Sequence, residues 1–172
     1  MPTDKCDFDR VFLVGPMGSG KTSIGKILAR NLDMEFADMD AEIERRLGVS
    51  VSWIFDVEGE AGFRDREEHL LEQMTKKKSL VLATGGGAVL RQTNRLTLST
   101  RGFVIYLRPS LDDLLKRMKG DKSRPLLQVD DPERKIREIF IERDPLYTET
   151  ADVIFDTHGL HFQLVAQRLA SD

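Results

Sequence analysis

Gly15-Pro16-Met17-Gly18-Ser19-Gly20-Lys21-Thr22 is the stretch of the chain whose reading decides the fold. It matches G-x-x-x-x-G-K-[ST], follows the apolar run 11–14, and leads into a segment with helically spaced Ile24, Ile27, Leu28 and Leu32. Strand, glycine-rich loop and helix in that order separate a phosphate-binding loop from a plain turn with a surface lysine. Glycines let the backbone curl until successive N–H groups face one anion, and the following helix offers its positive end to the same charge. Lys21 is expected to reach the β- and γ-phosphates of a nucleotide, with the Thr22 hydroxyl on Mg2+.

Outward from the loop, short runs rich in β-branched and aromatic residues recur at 11–14, 34–37, 80–83, 103–107 and 152–155. They read as strands apolar on both faces, as in a parallel sheet covered on both sides. Longer segments between them have helical spacing, for example Phe63, Leu70, Leu71 and Met74. Strand alternating with helix implies an α/β layered fold. The polar stretch 119–131 carries Gly120 and Pro125, lacks periodicity, and is the candidate mobile loop.

A chain of 172 residues is the size of one domain and buries about two-thirds of its unfolded surface. Hydrophobic residues make up 40% and charged residues 32%, which suits a globular protein. No apolar run approaches the roughly 20 residues that cross a bilayer. Residues 1–10 carry Asp4, Lys5, Asp7 and Asp9 and do not read as a secretory signal. Cys6 is the sole cysteine, so no internal disulfide forms and a cytoplasmic location is expected. A net charge of −3 gives no global field for nucleic acid, and phosphate binding must rest on locally placed cations.

Asp38-Met39-Asp40 stands after the second strand and before a helical segment at 41–47. Ligands of open α/β sheets sit at the carboxyl ends of the strands, so the two acids face one crevice with different reach. One suits a magnesium shell through water. The other, for which Asp40 is chosen, suits an alcohol that must lose its proton. The bland reading is that either acid only caps the helix.

Arg143 lies in line with the apolar positions Ile136, Ile139 and Phe140 of the segment 132–145, and Arg64 stands seven residues before Leu71. An inward guanidinium calls for an anion and grips a carboxylate with two parallel hydrogen bonds; the alternative is a long stem lying on apolar surface with its head in water. Thr84-Gly85-Gly86-Gly87-Ala88 follows the third strand, where glycine N–H groups line a pocket or merely form a turn. Arg124, before Pro125-Leu126-Leu127, would carry positive charge over a transferring phosphoryl, unless it belongs to a solvated loop. Arg117 sits among Lys116 and Lys119 on what reads equally as a wet face. Trp53 and Phe55 read either as substrate-side lining or as ordinary core.

GPMGSGKT, DMD, FRDRE, TGGGAV, SRPLL and RDPLY, in that order and spacing, resemble the shikimate kinase family over about residues 11–155. The resemblance implies a fold similar to nucleoside monophosphate kinases: a five-stranded parallel sheet of order 2-3-1-4-5, a substrate-binding helical segment at about 40–76 and a lid at about 119–131, all within one domain, 1–172. It implies ATP and Mg2+ at Gly18, Ser19, Gly20, Lys21, Thr22 and Ser23, with Asp38 supporting the metal through water. Asp40 becomes the base on a shikimate hydroxyl, and Arg64, Gly85, Gly86, Gly87 and Arg143 hold that acid. Arg124 contacts phosphate and Arg117 stacks on adenine; past Thr157 no adenine-contacting residue stands out. The activity implied is phosphorylation of the shikimate 3-hydroxyl by a cytoplasmic monomer with no nucleic-acid or membrane partner. A gluconate-kinase-like enzyme is the rival within kinases. A GTP-hydrolysing regulatory switch is the rival from another class, and the chain has no N-K-x-D guanine-reading segment.

Overall fold

Residues 9–119, 127, 129–161, 163, 164, 167 and 168 are described by a computed structural model of the chain. Strands β1 (Arg10–Val14), β2 (Glu35–Asp38), β3 (Leu80–Ala83), β4 (Phe103–Arg108) and β5 (Val153–Asp156) pair in parallel. Among the described residues they form one five-stranded sheet of order β2-β3-β1-β4-β5. The helices are α1 (Lys21–Asn31), α2 (Met39–Leu47), α3 (Val51–Met74), α4 (Gln92–Arg101), α5 (Leu111–Met118) and α6 (Pro132–Thr150). This is the phosphate-loop kinase fold in the strand order that the family resemblance implied.

Alternate residues of β1 serve opposite faces of the sheet, as the two-residue period of a strand requires. Val11 and Leu13 join Ile24, Leu28 and Ala29 of α1 in one buried cluster. Phe12 and Val14 join Met39, Ile54, Leu71 and Tyr147 in the other, larger one. Burial of one such side chain stabilises by about 1.5–3 kcal/mol, so both faces of β1 hold the layers together. The expectation of strands buried on both faces is correct for β1, β3 and β4 but not for the edges. β2 and β5 are partly or largely exposed, because an edge strand has a neighbour on only one side and less cover.

Two helix limits also differ from the sequence reading. α2 begins at Met39 rather than 41, which puts Asp40 in its first turn. α6 runs through Pro145 to Thr150. A proline inside a helix leaves the carbonyl four residues earlier without its partner; here that residue is Ile141, which is 70% exposed, so its surroundings are open to water. α3 carries its own break at Gly59, with φ 75° and ψ 176° inside an otherwise helical run. Glu58 and Arg66 bridge the break with a two-pronged ion pair, Arg66 Nη2 to Glu58 Oε1 at 2.6 Å and Nε to Oε2 at 2.7 Å.

Candidate active site

Gly18 (φ 80°) and Gly20 (φ 90°) adopt the left-handed backbone that glycine alone takes without strain. They curl the loop after β1 into the start of α1. Side chains cap the N-termini of α2, α3, α5 and α6, whereas among the described residues no side-chain cap closes α1 or α4. The first amides of α1 therefore face the cleft with the positive end of the helix behind them, a ready-made anion seat. Lys21 is buried, and its Nζ donates to the carbonyls of Gly15 at 2.7 Å and Pro16 at 2.8 Å. The loop thus holds its own cation at the anion seat.

The two aspartates after β2 have separate surroundings. Asp38 divides its oxygens: Oδ1 accepts from the Ala41 amide at 3.0 Å, and Oδ2 accepts from the Thr22 hydroxyl at 2.6 Å. The capping role and the contact with the phosphate loop belong to one residue. A hydroxyl beside a carboxylate is a hard-oxygen pair, the donor type that would suit Mg2+. Asp40, two residues further on, lies across from the glycine turn: a Cβ on Gly85 would stand 3.1 Å from its Oδ1.

Arg64 and Arg143 are both buried, at 7% and 4% exposure, and both point inward. Arg64 Nη1 donates to Glu67 Oε1 at 2.9 Å, and its guanidinium lies so close to Gly87 that a side chain there would push it aside. The Nε atoms of Arg64 and Arg143 and the Oε2 of Glu67 are buried with no hydrogen-bond partner. Buried polar atoms left open in this way are costly unless a ligand or water completes them. Burial pushes the Glu67 carboxyl above its ordinary value, an effect the Arg64 charge partly opposes.

Glu67 is the residue that sequence reading missed. It sits four residues after Phe63 and three before Leu70, inside the apolar stripe of α3. An acid at a stripe position three residues from an arginine was the available signal.

These groups line two connected hollows. A cleft of about 750 Å³ is walled by the phosphate loop, Asp38, Asp40 and Arg117. A cavity of about 60 Å³ is walled by Arg64, Glu67, Gly87, Arg143 and Phe55. Met17, Asp40, Gly85 and Gly86 belong to both. Phe55 stacks at 4.8 Å from Phe63, whereas Trp53 is 47% exposed and lines neither hollow. Arg117 is exposed and donates to the Gly18 carbonyl at 3.1 Å. Arg124 and most of the stretch 119–131 lie outside the described residues.

A phosphate loop on a 2-3-1-4-5 sheet, with an acid in its cleft and two buried arginines lining the adjoining cavity, defines a small-molecule kinase of the phosphate-loop class. The sequence pattern described as shikimate kinase matches residues 17–172. Shikimate kinase 1 of Yersinia pestis (strain Pestoides F) is 52% identical over 160 residues, 92% of each chain. Among solved structures, shikimate kinase from Acinetobacter baumannii in complex with shikimate superposes with a TM-score of 0.92 at 47% identity, covering 95% of this chain and 91% of that one. The Bacteroides thetaiotaomicron shikimate kinase gives 0.85 at 34% identity, covering 94% and 96%. The chain belongs to the shikimate kinase family.

Proposed function

We propose that the chain transfers the γ-phosphoryl of ATP to the 3-hydroxyl of shikimate, giving shikimate 3-phosphate and ADP. The observation that carries this reading is the shared wall of Met17, Asp40, Gly85 and Gly86, which sets an anion-seeking cavity directly against the phosphate loop. The cavity's two buried guanidiniums suit the carboxylate of a cyclic hydroxy-acid, and Asp40 stands between that acid and the nucleotide.

In the reaction the acceptor oxygen bonds to the γ-phosphorus as the bond from phosphorus to the β,γ-bridging oxygen breaks, and Asp40 takes the hydroxyl proton. Lys21, released from the Gly15 and Pro16 carbonyls, stabilises charge on the phosphoryl oxygens. Thr22 and Asp38 would hold Mg2+, which supplies charge neutralisation on the β- and γ-phosphates when bound. Arg64 and Arg143 orient the acid, so proximity supplies much of the rate. The family resemblance adds Arg124 as a phosphate contact on a lid at about 119–131, Arg117 against adenine, and 40–76 as the acceptor-binding segment of a single domain. It also favours a cytoplasmic monomer. No helix among the described residues is long and apolar enough to cross a membrane.

ADP release measured with shikimate, gluconate and nucleoside monophosphates in parallel tests the proposal. Strong stimulation is expected with shikimate alone. Equal stimulation by gluconate would replace the acceptor, and nucleotide hydrolysis indifferent to all three would replace the reaction class.

A further inference from the structure

Tyr147 follows Arg143 by four residues on α6, so the two side chains share one helix face. Its ring is fully buried, 4.9 Å from the ring of Tyr106. Its hydroxyl donates to the Gly86 carbonyl at 2.5 Å, across 61 residues of chain. Tyr106 in turn donates to Asp144 Oδ1 at 2.6 Å, which ties α6 beside Arg143 to the interior strand β4. The phenol is therefore fixed at both ring and hydroxyl before any ligand arrives.

A trans peptide points its C=O and N–H in opposite directions from one rigid plane, and no cis bond occurs among the described residues. Holding the Gly86 carbonyl consequently sets the direction of the Gly87 N–H. Without that bond, two consecutive glycines permit the widest choice of orientations. Gly86 and Gly87 line the small cavity together with Arg143, and a Cβ on Gly86 would stand 3.8 Å from Arg143 Nη1. The same helix face thus supplies a guanidinium and the clamp on the neighbouring peptide.

We infer that Tyr147 is a positioning residue for the acceptor: its hydroxyl locks the Gly86–Gly87 peptide so that the Gly87 N–H and Arg143 meet the bound acid in fixed register. This rests on the proposed acceptor site. Burial pushes the Tyr147 hydroxyl up to about 12, so it stays a donor throughout the working pH range.

Steady-state kinetics of Tyr147→Phe, which keeps the ring and removes the hydroxyl, tests the inference alongside the wild type. Loss of one neutral hydrogen bond predicts roughly a fivefold rise in the KM for shikimate, with kcat within about twofold and the KM for ATP unmoved. A variant that only melts earlier, with both KM values unchanged, overturns the role. So does a variant whose kcat and both KM values deteriorate together. A wild type that does not turn over shikimate overturns the acceptor assignment and this inference with it, whereas turnover with an unmoved variant KM removes Tyr147 alone. If the variant does not fold, amide NMR of the wild type decides: shikimate is expected to shift the Gly87 signal, and an unshifted signal overturns the inference.

Discussion

Around the phosphate loop the binding groups are mostly backbone: the uncapped amides of α1, curled by Gly18 and Gly20, with Lys21 held on carbonyls of the same loop. Across the cleft they are mostly side chains: Arg64, Glu67 and Arg143 buried with open valences, and Asp40 beside the glycine turn. Backbone amides recognise a polyphosphate tail by charge and shape, which every nucleoside triphosphate shares. Buried side chains of fixed geometry recognise one arrangement of carboxylate and hydroxyls, because a wrong ligand leaves them unpaired. The comparison teaches that the proposed nucleotide half recognises in a generic way. The proposed acceptor half holds buried polar atoms that a ligand would complete.

Asp40→Asn puts the greatest weight on this division. It keeps size and shape and removes the base, so kcat is expected to fall about 10²–10⁴-fold while nucleotide affinity, followed by calorimetry, stays at the wild-type value. An active variant would break the assignment of base, and a parallel loss of nucleotide binding would break the separation of the halves.

Arg143→Ala is expected to act on the acceptor half alone. Removing a charge-assisted grip on a carboxylate should raise the KM for shikimate about 10- to 150-fold, with the KM for ATP unchanged in the same assays. An unmoved shikimate KM would remove Arg143 from the grip.

Glu67→Gln sharpens the claim of open buried polar atoms, with the smallest effect. A carboxyl whose folded value lies above its ordinary 4.5 holds its proton more tightly in the folded chain than in the unfolded one. The stability this contributes is complete below the unfolded value and is lost as pH rises through the folded one. The melting temperature of the wild type should therefore decline more steeply than that of the glutamine variant as pH rises above the ordinary carboxyl range. Parallel slopes in thermal melts would show that burial does not shift Glu67.

Legibility in the sequence followed the same division. The strands of the sheet centre were readable because β1, β3 and β4 are continuous apolar runs, and the phosphate loop because its spacing dictates its own backbone. Arg64 and Arg143 were readable as cations misplaced on apolar stripes. Glu67 escaped because an acid three residues from an arginine also reads as a surface pair, and only tertiary burial separates the two cases. Pro145 was read as a boundary because local rules end helices there, whereas the openness at Ile141 lets α6 continue to Tyr147. The edge strands were read as covered because an apolar run does not reveal how many neighbours it will have.

The break in α3 is a matter of handedness. Around Gly59 the space where a side chain would begin is empty, so crowding is not what demands glycine. A φ of 75° with ψ 176° is the mirror image of ordinary extended backbone. A D-amino acid would rest there at ease, and among ribosomally encoded residues only the achiral one can impersonate it.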